Sequence, residues 1–204
     1  METTRGRATG RPRGFDADEA LDRALLVFWE QGYEGASLAN LTDAMGISTA
    51  SMYATFGNKE QLFRRALRRY EEGPSAYVVA ALAEPTALGV ATALLTGAVE
   101  TTTCPDRPRG CLGVQGALAT GEAGREIRAL LVGWRDDGHA KIRERFERAV
   151  AEGDLPPDAD PGLLARYVHT LQAGIAVQAA GGVGREELRE LAALAVRNWP
   201  VPAA

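Results

Sequence analysis

Apolar residues recur every three or four positions along most of the chain, which is the spacing of one face of an α-helix. In the first such segment, residues 16–31, Leu21, Leu25 and Phe28 share a face. Asp16 stands at its start, where a side chain that accepts backbone hydrogen bonds favours a helix N-terminus. The pattern therefore predicts a first helix that ends at Gly32.

Three short helices are predicted next, each after a side chain that can cap it. They cover residues 38–45, 49–55 and 59–72. The first two are joined by the Gly-Ile-Ser turn at 46–48, and a tight glycine-containing turn between two short helices is the sequence form of a helix-turn-helix. A helix as short as 49–55 has few residues to bury, which indicates that it contacts something outside the core.

The remainder of the chain is also predicted to be helical, because no stretch shows sustained alternation with period two. Gly and Pro clusters mark the breaks. The predicted helices cover residues 75–83, 86–103, 111–120, 124–152, 161–180 and 185–198. The fold class is therefore all-α, with about nine or ten helices: a flexible basic arm at 1–14, a helix-turn-helix head at 15–72 and a larger helical domain at 73–204.

The net charge of −4 disfavours a nucleic-acid partner, but the basic residues are unevenly distributed. The arm holds four arginines, Arg11 and Arg13 among them, against Glu2 alone, whereas residues 71–204 hold thirteen Lys and Arg against eighteen Asp and Glu. The arm is too rich in Gly, Pro and Arg to fold alone. Two interpretations stay open: it follows the DNA backbone or enters a minor groove, or it is a solvated tail.

Other classes of protein are disfavoured by what the sequence lacks. No run of about 18 apolar residues is present, and no apolar run follows the first arginines, so neither a membrane span nor a secretory signal is predicted. Cys104 and Cys111 have no Cys or His at zinc-ligand spacing. We therefore expect a cytoplasmic protein with no disulfide, no metal site, no cofactor and no membrane partner.

The region from residue 15 to about 72, with GYEGASLANLTDAMGISTASMYATFGNKEQLF at its centre, resembles the DNA-binding domain of TetR-type transcriptional regulators. The resemblance rests on the Gly-Tyr after the first helix, the capped second helix, the Gly-Ile-Ser turn, Tyr53 with Phe56, and Lys59 opening the fourth helix. It covers about a third of the chain, and the GCLGVQGAL segment supports it more weakly. It implies a DNA-binding regulator.

A recognition helix enters the major groove with its N-terminal residues towards the base edges, so these residues must be small and polar. Thr49, Ala50 and Ser51 meet that description, and the resemblance implies phosphate contacts for several others, which set register rather than sequence. Capping alone is the alternative for Ser37, and packing alone is the alternative for Tyr53. The predicted DNA-binding residues are Ser37, Ser48, Thr49, Ala50, Ser51, Tyr53, Thr55, Lys59, Arg11 and Arg13.

The sequence also departs from the commoner family pattern. Ala54 and Thr55 stand where a bulky aromatic or His is frequent, and Thr42 stands where Ala is usual. The missing bulk reduces the contact expected from the end of the recognition helix.

In proteins that it resembles, the remainder of the chain encloses a small-molecule pocket, and a ligand there moves the head through the fourth helix. Helical phase points one set of residues inward: Tyr77, Leu94, Cys111, Gln115, Trp134, His139 and Gln172. The last two helices carry apolar residues on more than one face, which predicts a second subunit, or else full burial within one subunit. The predicted dimer residues are Leu164, Val168, Leu171, Ile175, Leu188, Leu191 and Ala195.

The leading hypothesis is a homodimeric repressor that a small molecule releases from a palindromic operator in double-stranded DNA. A second hypothesis is a redox or electrophile sensor that uses Cys111, which begins a predicted helix just after Arg107 and Arg109. A third is an enzyme that uses Cys111, His139 or His169, and it lacks a recognisable nucleophile–base–orienter set. A fourth, an architectural DNA binder, predicts nearly equal affinity for random DNA.

Overall fold

A computed structural model of the chain describes residues 15–118, 124–197 and 199–200. All regular secondary structure in these ranges is helical, which confirms the all-α prediction. The helices are α1 (Ala17–Gly35), α2 (Leu38–Met45), α3 (Thr49–Phe56), α4 (Lys59–Glu72), α5 (Tyr77–Leu82), α6 (Ala87–Thr102), α7 (Leu112–Leu118), α8 (Arg125–Ala151), α9 (Pro161–Ala180) and α10 (Arg185–Arg197). The arm at 1–14 and the predicted ends of α7 and α10 at 119–120 and 198 lie outside the described residues.

The short helices of the head begin where their capping side chains predict. Ser37 Oγ accepts the Asn40 N–H at 3.0 Å, and Ser48 Oγ accepts the Ser51 N–H at 3.1 Å. At the start of α4, Asn58 and Gln61 bond each other's backbone N–H groups reciprocally. Each cap satisfies donors that a helix N-terminus otherwise leaves unpaired.

The first helix extends beyond its predicted end at Gly32. The chain is locally non-helical at Gly32, with φ 70° and ψ 176°, and then continues for one more turn to Gly35. A positive φ suits glycine because it has no Cβ. The break turns Tyr33 towards the head, where its ring packs edge-on against Phe63 at 5.3 Å.

The apolar core of the head does not stop at α4. Phe28, Trp29 and Phe63 are its largest buried side chains, and Leu112 of α7 and Leu131 of α8 belong to the same cluster. A second cluster is formed mainly by α6, α8, α9 and α10. The head is thus packed against α7 and the first half of α8, as well as being joined to the rest of the chain through α4.

None of the helices within the described ranges is long and apolar enough to cross a membrane. The longest, α8, has 27 residues and carries charged side chains along its length.

Candidate DNA-binding surface and effector pocket

The outer face of α3 is polar and accessible. Thr49, Ala50 and Tyr53 are exposed, and the Tyr53 side chain is 49% exposed, whereas Met52 and Phe56 of the same helix are buried. A helix that anchors one face in the core and presents short polar side chains on the other has the form of a recognition helix. The phenol of Tyr53 is therefore available to a partner outside the chain.

Three further residues predicted to contact DNA have partners within the head. The hydroxyls of Ser48 and Ser51 lie 2.9 Å apart, and Ser51 and Thr55 are half-buried. The Thr55 carbonyl accepts a hydrogen bond from Arg65 at 3.1 Å, which ties the end of α3 to α4. These contacts fix the orientation of the exposed face.

Ser37 has the capping role that was the alternative to DNA contact. Besides accepting the Asn40 N–H, its hydroxyl donates to Asn40 Oδ1 at 2.6 Å, and Asn40 Nδ2 donates to Gln31 Oε1 at 3.1 Å. The group is exposed, so the cap is compatible with a phosphate contact. Asn40, which lies beside it, was not singled out by sequence because an exposed Asn inside a helix carries no distinctive pattern.

Lys59 lies at the first position of α4, with its ammonium 4.6 Å from the centre of the Tyr33 ring. Burial lowers the pKa of Lys59, and nearby Glu34 partly offsets this. A cation held over an aromatic face keeps its charge in a defined place. Arg11 and Arg13 lie outside the described residues.

Thr42, where the family more commonly has Ala, satisfies its hydroxyl with a hydrogen bond inside its own helix. Its hydroxyl donates to the Leu38 carbonyl at 2.9 Å on the preceding turn of α2. This bond explains why a hydroxyl is tolerated at a half-buried position.

A cavity of about 200 Å³ lies between the end of α4 and the helices α5, α6, α7, α8 and α9 of the larger domain. Four of the seven residues predicted for the pocket line it: Tyr77, Cys111, Trp134 and Gln172. Val78, Ala98, Val114, Ile142 and Ala176 supply apolar walls. The cavity is thus mostly apolar, with a few polar groups, which is the usual character of a small-molecule site.

The other three predicted residues do not line this cavity. Leu94 is fully buried in the core, and only its carbonyl approaches Gln172, at 3.4 Å. Gln115 bonds the Arg109 carbonyl at 3.4 Å, and the His139 ring lies 6.0 Å from that of His169. Helical phase identified the inward side of each helix, but it does not distinguish a filled core from a cavity.

Among the lining residues that were not predicted, His169 and Tyr70 bear most on function. His169, assigned from sequence to the dimer helix, lines the cavity, and its pKa is lowered to about 4, mainly by burial and then by His139, Arg166 and Arg135. His169 is therefore neutral near pH 7 and can both donate and accept a hydrogen bond. Tyr70, on the last turn of α4, was missed because its spacing is that of an ordinary core residue.

Two aromatic walls of the cavity lie directly on glycine backbone. The Tyr77 ring covers Gly97, and the Trp134 ring covers Gly113, so closely that a Cβ atom at either glycine would overlap the ring. The glycines therefore fix where each ring lies and how much space is left beside it.

The last turn of α4 forms part of the cavity wall. Tyr70 donates its hydroxyl to Cys111 Sγ at 3.3 Å, and its ring centre lies 6.2 Å from that of Trp134. Trp134 Nε1 in turn donates to Glu71 at 2.5 Å. Burial, with a smaller contribution from Cys111, raises the pKa of Tyr70, so the hydroxyl stays protonated as a donor.

Most of the predicted dimer residues are buried within the chain itself. Val168, Ile175, Leu188 and Ala195 are buried in the chain's own core, and Leu164 and Leu171 pack against it. Of the predicted set only Leu191, at 39%, is exposed. The most apolar stripe of these helices faces the core of the same chain. The sequence did not predict this, because hydrophobic periodicity does not distinguish an internal core from an interface between subunits.

A different stripe of α9 faces outwards. Leu163 is 67% exposed, Tyr167 41% and Val177 49%, and Thr170 and Gly174 between them are also exposed. These positions follow the three- and four-residue spacing of one helix face. We call this set of five residues the outer α9 face. Leu191 of α10 is a further exposed apolar residue.

Comparison with known proteins agrees with this architecture. The family model for bacterial regulatory proteins of the tetR family matches residues 20–66, and that for the Tetracyclin repressor-like C-terminal domain matches residues 91–192. The chain belongs to the TetR family. TetR-family membership makes it a DNA-binding transcriptional regulator, as the head alone had implied.

Individual relatives align over nearly the whole chain. The HTH-type transcriptional repressor ComR of Escherichia coli (strain K12) is 32% identical over 95% of this chain and 93% of its own length. A cysteine-substituted TetR family transcriptional regulator CifR, complexed with a 26-base-pair operator DNA, is 43% identical with a TM-score of 0.89, covering 94% of this chain and 100% of that one. A TetR regulator from Rhodococcus sp. RHA1 is 42% identical with a TM-score of 0.63, covering 91% and 100%.

The relatives of this TetR-family chain are regulators rather than enzymes. Among the described residues, no group of three or more His, Cys, Asp and Glu is placed to hold a metal ion. The structure does not join the candidate catalytic groups by hydrogen bonds. The rings of His139 and His169 lie 6.0 Å apart, and Cys111 is hydrogen-bonded to Tyr70 instead of to either histidine.

Proposed function

We propose that this chain acts as a homodimeric repressor, which binds a palindromic operator through α3 and leaves it when a small molecule enters the cavity. The observation that carries the proposal is the placement of α4. Its last turn supplies Tyr70 to the cavity wall, and its first residue, Lys59, follows the recognition helix directly. One helix of 14 residues, about 21 Å long at ~1.5 Å per residue, therefore spans both sites.

The DNA side of the proposal rests on the exposed face of α3. Thr49, Ala50 and Ser51 are small enough to approach base edges, and Tyr53 and Lys59 have polar groups for phosphates. Hydroxyls and a methyl discriminate between bases less sharply than Arg or Asn, so DNA shape supplies part of the specificity. The similar regulator CifR is complexed with operator DNA, which supports DNA binding by this chain.

A palindromic operator requires two copies of α3, about 34–36 Å apart, in successive major grooves. The outer α9 face supports self-association because it exposes Leu163, Tyr167 and Val177 on one stripe. Gly174, within the stripe, has open space around it where a Cβ would stand. Such a position lets another backbone approach closely.

The character of the cavity indicates the class of effector. Its 200 Å³ is below the roughly 300–1,000 Å³ typical of drug-sized ligands. Tyr70, Tyr77 and Trp134 supply aromatic walls, and neutral His169 and Gln172 supply hydrogen-bonding groups. The charged residues Glu71, Arg135, Asp137 and Lys141 also line the cavity, and their charges balance. We infer a small, flat, largely apolar molecule with one hydrogen-bonding group.

Release follows from the contacts at the end of α4. A ligand that displaces the Trp134 ring disturbs its bond to Glu71 and its packing on Tyr70, and both partners belong to α4. Moving α4 reorients α3, to which it is tied by the Arg65 bond to Thr55. Operator affinity falls because the liganded state favours another spacing of the two heads.

A selection experiment tests the proposal. The purified chain is incubated with a random-sequence duplex library, and we expect it to enrich a palindrome, bind it as a dimer and lose affinity steeply with salt. Small aromatic compounds such as indole are then screened for raising the melting temperature. Equal affinity for all duplexes would favour an architectural binder instead, and compounds that stabilise the protein without weakening operator binding would contradict release.

A thiol sensor is the second candidate, and the position of Cys111 favours it. Its Sγ lines the cavity and accepts the Tyr70 hydroxyl, so modification of the sulfur alters a contact to α4. An alkylating agent would replace the S–H bond by an S–C bond, with the proton passing to solvent and the leaving group departing.

Two serine variants separate this candidate from reversible effector binding. Iodoacetamide should weaken operator binding by the parent and by Cys104→Ser, but not by Cys111→Ser. Equal sensitivity of Cys111→Ser would exclude the thiol mechanism.

A further inference from the structure

The segment that joins α6 to α7 contacts three parts of the molecule through three consecutive residues. Arg109 bonds the end of α9, Gly110 bonds α1 of the head, and Cys111 bonds α4 and lines the cavity. Residues 109–111 are called the junction segment below. The C-terminal end of α9, the head and the cavity thus meet within three residues.

Arg109 fastens the junction segment to α9. Its Nε donates to the Ala179 carbonyl at 2.7 Å, and one terminal nitrogen donates to the Val183 carbonyl at 2.5 Å. The last carbonyls of a helix lack partners within the helix, and a cation there is favoured by the helix dipole. Two bonds from one planar guanidinium fix direction as well as distance.

Gly110 fastens the segment to the head. Its carbonyl accepts the Trp29 indole N–H at 3.1 Å in a buried setting, and its own N–H donates to the Thr102 carbonyl at 2.9 Å. Its φ is +89°, and a Cβ there would meet Gln115 and Ala180 at 2.7 and 3.1 Å. Because a buried indole N–H needs its acceptor, a shift of this carbonyl is passed to Trp29 and so to α1.

The other end of the connecting loop is also anchored. Arg185, the first residue of α10, donates to both the hydroxyl and the carbonyl of Thr103 at 2.8 Å. Arg107, in contrast, is exposed and makes no side-chain hydrogen bond to the described residues. The loop is therefore held at two places, Thr103 and Arg109, and is open to solvent between them.

We propose that the junction segment is a second route, beside α4, from the cavity to the head, and that Arg109 is the positioning residue on which it depends. Trp29 also touches Tyr70 of α4, with ring centres 4.8 Å apart, and that contact belongs to the α4 route. Through Gly110, a displacement at Cys111 moves Trp29 only if the segment has a fixed point to turn about; without one, the loop absorbs the motion. The bonds of Arg109 to the end of α9 supply that fixed point. The inference rests on the proposed effector function of the cavity.

A double-variant cycle tests the route without DNA. Cys111→Met places a larger side chain in the cavity wall and so imitates a bound effector. Amide hydrogen exchange is then measured over residues 24–31 of α1 and 66–72 of α4. When Arg109 is retained, we expect Cys111→Met to change the exchange rates in both segments by about threefold or more. In Arg109→Ala, the change in α1 should be lost, while that in α4, which touches residue 111 directly, should remain.

Arg107→Ala is the matched control on the same loop and should behave as the parent. A purely structural role for Arg109 would lower stability equally with and without Cys111→Met, leaving the response of α1 intact, and that result would overturn the proposal. So would equal loss of the response in Arg107→Ala. If Cys111→Met fails to fold, carbamidomethylation of Cys111 with iodoacetamide in Cys104→Ser supplies the same bulk in folded protein.

Two results separate the junction route from the proposed function. If the chain enriches no operator yet α1 responds to residue 111 through Arg109, the junction holds and the proposed function does not. If an operator is enriched and α1 responds identically with Ala at position 109, the function holds and α4 is the sole route.

Discussion

The DNA-binding surface and the effector pocket are built in opposite ways. The surface comes from consecutive residues on α3, capped by Ser48 and anchored by Met52 and Phe56. The cavity gathers Tyr70, Cys111 and His169, with others, from distant parts of the chain. A surface built from consecutive residues keeps its shape when other helices shift. A cavity built from distant residues changes with any shift between helices. The cavity is therefore suited to detect a ligand, and the surface is suited to bind DNA.

The largest effect should come from separating the two copies of the surface. Val177→Asp places a charge on the outer α9 face, where the valine is 49% exposed, and we expect loss of the dimer and at least about a hundredfold loss of operator affinity. Sedimentation velocity and a mobility-shift assay measure both. Val132→Asp, at an exposed valine on α8, is the control and should stay dimeric. A dimeric Val177→Asp would remove the outer α9 face from the interface.

Within the surface, Tyr53→Ala should weaken operator binding by roughly 10- to 100-fold, since its phenol is accessible and replaceable without a cavity in the core. Melting temperature should change little. Tyr53→Phe separates the hydroxyl from the ring: a hydrogen bond to phosphate predicts that Phe behaves like Ala. Unchanged affinity of Tyr53→Ala would show that this face of α3 points away from DNA.

Within the pocket, Gly113→Ala forces the Trp134 ring off the backbone. We expect a loss of about 1–3 kcal/mol in the free energy of unfolding from overpacking, together with weaker binding of indole. Gly133→Ala is the matched control on α8, because a Cβ there meets nothing within 4 Å. Denaturant titration should show that it gains about 0.5–1 kcal/mol from helix propensity. Equal effects of the two variants would contradict the packing described for Trp134.

The pocket histidine should leave a signature in acid stability. The pKa of His169 is about 4 in the folded chain, below its ordinary value of 6.5, so the unfolded state takes up the proton first. Stability is therefore complete above pH 6.5 and is lost as pH falls towards 4. With His169→Asn, we expect the loss between pH 6.5 and 5 to shrink by about 1 kcal/mol, allowing for partial exposure. Superimposable pH profiles of urea unfolding would contradict the buried, neutral histidine.

The smallest effect is expected at Lys59. Lys59→Ala should weaken binding to all duplexes alike and reduce the slope of log affinity against log salt by about one unit. The ammonium lies over Tyr33, and a purely structural cation–π role would instead lower stability and leave the slope unaltered. Filter binding at several salt concentrations distinguishes the two.

The same contrast explains what the sequence predicts. In the head, Ser37, Ser48 and Asn58 act on backbone within three residues of themselves, so helix starts and the exposed face of α3 follow from local chemistry. Gly32 was an exception, since a helix can resume after a local break. The family resemblance rested on this same local stretch.

In the larger domain, function depends on which helix packs on which. The stripe that includes Val168 and Ile175 is the more apolar one, and it faces the chain's own core; the outer face mixes Leu163 and Val177 with polar and glycine positions. No local sequence pattern distinguishes His169, which lines the cavity, from His139, which does not. The bonds of Arg109 to Ala179 and Val183 join residues 70 and 74 positions apart, with no sequence signal.

In the proposed dimer, two copies of α3 are held one turn of the double helix apart. A nitroxide on Ala54→Cys, an exposed site on α3, in a background with Cys104 and Cys111 replaced by serine, reports that separation by pulsed electron paramagnetic resonance. We expect a dominant distance within several ångströms of about 34–36 Å, with a narrower distribution when operator DNA is bound. No dipolar coupling between labels, or a distance that operator DNA leaves far from this value, would contradict it.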